Sequence, residues 1–139
     1  MTRHVDPNNA VMNLPRRDAR DKLLGRTKYT IDTVGSGDLH AVLLRAEIPS
    51  AKIKKIDLSV ARVMPGVKAI ATYDDAPGLH GLGIADTPIF AKDVIRYHGE
   101  PIAAVAATTL AQAREAVKAI GVVLEEHGAV LTMSEAIAG

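Results

Sequence analysis

The clearest alternation in the chain lies at 51–58, AKIKKIDL, where lysine and isoleucine trade places with the period of two of a half-buried strand. Other strand patterns surround it. TKYTID (27–32) is β-branched and aromatic, LHAVLLRAEI (39–48) is apolar up to Pro49-Ser50, and VKAIATY (67–73) follows Pro65-Gly66. DVIRY (93–97), PIAAVAAT (101–108) and VVLEE (122–126) complete the set. PIAAVAAT is apolar throughout until Thr108, so it calls for cover on both faces, as a central strand has.

The period lengthens at TLAQAREAVKAI (109–120). Thr109 and Gln112 fit a capping box, and Leu110, Ala113, Val117 and Ile120 share one face. Gly121 stands where a helix C-terminus favours glycine. Shorter helical turns are expected at SVARVMPG, capped by Asp57 or Ser59 and stopped by Pro65-Gly66, at RRDARDKLLG before Gly25, and at SEAIAG. VGSGD (34–38) is a turn, and DDAPGLHGLGIADTP (74–88) is a Gly/Pro-rich loop too long for a simple hairpin. The order of elements predicts an α+β (mixed α/β) domain of short strands and two main helices, with no βαβ alternation and no internal repeat. Residues 1–24 read as a basic arm and 25–139 as the folded domain.

Composition narrows the function classes. A chain of 139 residues is one domain with a core of its own. With three Tyr, one Phe and no Trp, that core is aliphatic, and the stacking platforms of single-strand nucleic-acid binders are missing. The formal charge of +1 provides no long-range field for polyanions. Seven of the 17 Lys/Arg fall in residues 1–30, the pattern of a solvated tail or a docking arm. The chain has no cysteine, so it supplies no disulfide, no thiolate zinc site and no iron–sulfur ligand. No apolar run reaches membrane-spanning length, and MTRHVDPNNAVMNLPRR contains no secretory apolar core, so a cytoplasmic location is expected.

Local chemistry is sparse. The histidines, His4, His40, His80, His98 and His127, show no metal-ligand spacing. GSGDLH and GLHGLG lack the strand-to-helix setting and third glycine or Lys-Ser/Thr pair of phosphate loops. No serine sits in G-x-S-x-G. Asp74-Asp75 and Glu125-Glu126 are adjacent pairs, which an extended chain points to opposite sides. That leaves RYHGEP (96–101). Gly99 permits a positive φ, Pro101 can open a strand, and Glu100 can pair with Arg96 or accept turn amides. A structural turn is the stronger reading; Glu100 as general base or ligand, alone or with His98, is the alternative.

Taken in order, Gly25-x-x-x-Tyr29-x-x-Asp32, Leu39-His40-Ala41, Leu44-Arg45, Ile56-Asp57, Ala61, Pro65-Gly66-Val67 and Arg96-Tyr97-x-Gly99-Glu100-Pro101-x-Ala103 resemble the α/β hammerhead domain of the xanthine dehydrogenase/aldehyde oxidase family. This is the N-terminal part of the molybdenum-binding large subunit. The resemblance runs from about residue 16 to 139. It departs locally at Arg45-Ala46-Glu47-Ile48-Pro49-Ser50-Ala51, where relatives often read Arg-Ser-Pro then His-Ala. It departs again at Leu124-Glu125-Glu126-His127-Gly128, where they often have a Tyr-Glu-Pro-like ending.

The resemblance implies an enzyme that hydroxylates aldehydes or N-heterocycles with oxygen from water. Its molybdopterin, iron–sulfur clusters and, in many members, FAD are held outside this chain. It implies no catalytic, cofactor-binding or metal residue here. Arg96, Gly99, Glu100 and Pro101 carry over only as a structural motif. The expected partners are the molybdopterin-binding domains and the iron–sulfur subunit of the same enzyme, with neither nucleic acid nor membrane. A stand-alone binding module using loop 74–92 is the competing reading.

Overall fold

The computed structural model describes residues 16–138. The chain divides into two compact units at Ser36–Gly37, each described by itself. In the first, α1 (Ala19–Leu23) is followed by a 3-10 turn at Thr30–Thr33. The second runs β1 (His40–Arg45), β2 (Ala51–Asp57), α2 (Ser59–Arg62), β3 (Val67–Ala71), β4 (Leu79–His80), β5 (Thr87–Pro88), β6 (Val94–Ile95), β7 (Pro101–Ala107), α3 (Leu110–Lys118), β8 (Gly121–Glu126) and α4 (Met133–Ala138). The fold is mixed helix and strand, as the pattern predicts. Of the two main helices expected, α2 has only four residues and α3 nine.

The expected strand at 27–32 is not formed; a 3-10 turn stands in its place. Local hydrogen bonds win there: the Tyr29 N–H donates to Asp32 Oδ2 at 2.9 Å and the Thr33 hydroxyl to the Thr30 carbonyl at 2.6 Å. Short polar side chains that satisfy nearby backbone groups compete with sheet pairing in this way.

Two antiparallel three-stranded sheets make the body of the second unit, ordered β1-β7-β3 and β6-β2-β8. β7 is central, as its composition requires. α3 covers one face of its sheet with Ala113 and Ala116, both without exposure, and their small size lets the helix approach the strands closely. Leu110, expected on that inner face, is 40% exposed, and Ala116 takes the buried place instead. Ala103, Val105 and Ile120 join them in the core, with Leu44, Ile56 and Val122 packed alongside. A second cluster of Ala46, Ala51, Ile95 and Ile102 shares Leu44, Ile56 and Val122 with the first, and so ties the two sheets into one hydrophobic body.

Bulges adjust the period. Ile53 pairs with Leu124 and Lys55 with Val123, so Lys54 is an extra residue in β2. That insertion brings Ile53 and Ile56, three apart in sequence, to the same inner side, which strict alternation could not do. Gly121, expected to close α3 in a left-handed conformation, instead opens β8 opposite Asp57, and its φ is not positive. The long loop 74–88 contains a two-stranded ribbon, β4 with β5.

Candidate functional site

Arg96–Pro101 links β6 to β7. At Gly99 the chain turns with φ +89°, a conformation that side chains disfavour. The turn is fixed from both sides. The Gly99 N–H donates to the Ala46 carbonyl at 2.8 Å, and the Ala46 N–H donates to the Glu100 carbonyl at 2.9 Å. Arg45 Nη1 reaches the Gly99 carbonyl at 2.8 Å across 54 positions of sequence.

Glu100 is the one charged residue among those named in the core, at 1% exposure. Each carboxylate oxygen has a donor. Oε2 accepts the Arg96 backbone N–H at 2.6 Å, and Oε1 accepts Arg96 Nη1 at 3.2 Å. A buried carboxylate with a backbone donor on one oxygen and a guanidinium on the other is committed to holding the turn. His98, two residues away, is exposed on the turn and beside a surface cleft of about 400 Å³ that also meets Arg96, Tyr97 and Leu131. The structure therefore does not bring His98 and Glu100 together on one accessible surface. Pro101 begins β7, and its carbonyl accepts the Ala91 N–H at 2.7 Å.

The other candidates disperse. His40 on β1, His80 on β4 and His127 just past β8 are all exposed. Asp75 is committed to Thr72, accepting its N–H at 2.8 Å and its hydroxyl at 3.2 Å. Glu125 pairs with Lys54, which lowers its pKa by hydrogen bonding and charge. Asp57 accepts the Ser59 hydroxyl at 2.6 Å and N–H at 3.0 Å and pairs with Lys55 at 3.0 Å, and its pKa is driven well below the carboxylate range. These bonds hold the start of α2 from one residue further back than an N-cap.

Besides one over Asp57 and Ser59 at the start of α2, three clefts of about 390–450 Å³ are large enough for a small ligand. One is polar, between β2 and the segment 72–75, with Lys92 over the Tyr73 ring at 5.3 Å. Another is lined by Leu44, Ile102, Val117, Ile120, Val122 and Leu124. The third is the one beside His98. Among the described residues, no buried side-chain donor or acceptor lacks a partner, and no group of three His, Cys, Asp or Glu is placed to hold a metal. This donor set does not fit a molybdenum centre or an iron–sulfur cluster. Sequence reasoning missed Arg45 as a partner of the turn, because a contact over 54 positions leaves no local periodicity.

A family model described as "Aldehyde oxidase and xanthine dehydrogenase, a/b hammerhead domain" matches residues 24–128. The chain belongs to this family. It is 35% identical over 127 residues to the nicotinate dehydrogenase large molybdopterin subunit of Eubacterium barkeri, covering 90% of this chain and 30% of that protein. It is 36% identical over 136 residues to the nicotine 6-hydroxylase large subunit of Paenarthrobacter nicotinovorans, covering 91% of this chain and 17% of that protein. Among solved structures, the aldehyde oxidoreductase of Desulfovibrio gigas superposes with a TM-score of 0.77 at 33% identity over 88% of this chain and 15% of that one. The hammerhead chain thus spans less than a third of the length of these relatives. Among the described residues no helix is long and apolar enough to cross a membrane.

Proposed function

We propose that this chain is a non-catalytic architectural part of a cytoplasmic molybdenum hydroxylase that inserts water-derived oxygen into aldehyde or N-heterocycle substrates. It packs against the molybdopterin-binding domains and meets the iron–sulfur subunit; those parts hold the molybdopterin, the iron–sulfur clusters and, where present, FAD. Residues 1–24 serve as the arm and 25–139 as the domain. Arg96, Gly99, Glu100 and Pro101 act as a lock that fixes the entry to the central strand.

Exposed apolar side chains of the second unit carry this reading: Val60 and Val63 at α2, Leu82 and Ile84 in the long loop and Val123 in β8 are all more than half exposed, and apolar surface that clusters in this way calls for a covering partner.

The test is purification of the tagged protein from its native source under mild conditions. The expected product has a native mass far above that of the chain alone and contains molybdenum and iron. A lone, metal-free chain would overturn the proposal in favour of the binding module.

A further inference from the structure

We draw no further inference here: the strongest candidate, the apolar cleft of about 450 Å³ lined by Leu44, Ile102, Val117, Ile120, Val122 and Leu124 where the two sheets meet the end of α3, carries nothing because nothing in the structure shows what covers it.

Discussion

Glu100 holds Arg96 twice, by its backbone N–H at 2.6 Å and by its guanidinium at 3.2 Å. The two residues are four apart but not in a helix; the carboxylate folds back inside the turn that leads into β7. Arg96 keeps its outer side in water, with its side chain 55% exposed, while that of Glu100 is 2% exposed. The pair is therefore half buried, and its worth lies in orienting the turn more than in raw charge attraction.

Replacing Glu100 with Ala removes both acceptors and strands the Arg96 N–H. The expected loss is about 1.5–3 kcal/mol, the range for hydrogen bonds to charged groups. Glu100→Gln keeps the shape and one acceptor and should lose about half as much. Urea unfolding followed by circular dichroism measures both, and equal losses would contradict the assignment of separate roles to the two oxygens.

Two glycines with positive φ separate strain from crowding. Gly99 has φ +89° and open space around an added Cβ, so Gly99→Ala should cost only the conformational penalty, about 1–2 kcal/mol. Gly66 has φ +83°, and an added Cβ would overlap the Gln112 side chain, which accepts from the Thr108 hydroxyl at 2.6 Å and the Thr109 hydroxyl at 3.0 Å. Gly66→Ala should therefore be the more destabilising of the two. Melting temperatures of the pair check the order.

Asp57 predicts a dependence on pH. The Ser59 hydroxyl, then the Ser59 N–H and Lys55, hold its carboxyl below the ordinary value of 3.8. A depressed carboxylate contributes stability that is present above about pH 4, its unfolded value, and lost as pH falls toward the lower folded value. The gap in melting temperature between wild type and Asp57→Ala should thus be constant from about pH 6 to 8 and narrow below about pH 4. A gap that widens on acidification would contradict the sign.

The helix cap is a smaller test. The Gln112 N–H donates to Thr109 Oγ1 at 3.2 Å. Thr109→Ala should lose about 1 kcal/mol, whereas Thr109→Ser should be nearly neutral in the same unfolding assay.

Strong periodicity is the part of the fold that the sequence makes legible. β7 and α3 stand out because one is uninterrupted apolar sequence and the other has a cap, a face and a nine-residue run. Where pattern and structure part, the causes are physical. The 3-10 turn at Thr30–Thr33 has the β-branched residues of a strand, yet Asp32 closes it through the Tyr29 N–H. Gly121 has the position of a helix terminator, but Ala119 already ends α3 and the glycine pairs with Asp57. Thr132 and Glu135 cap α4 reciprocally, a signal carried in the sequence as T-x-x-E just ahead of the helical turn expected at SEAIAG. At the turn before β7, Glu100 and Arg96 are readable because both are local. Arg45 and Ala46 are not, since pairing between β1 and β7 is what delivers them.

The central proposal is that this chain supports the assembled molybdenum enzyme without taking part in its chemistry. The most direct measurement is turnover per bound molybdenum of the assembled enzyme carrying His98→Ala or Glu100→Gln. The account predicts an unchanged rate per molybdenum for both, with Glu100→Gln lowering only the yield or stability of assembled enzyme. A fall of about 10²-fold or more in rate at full molybdenum content, the effect of losing a general acid or base, would contradict it and move the turn into the catalytic machinery.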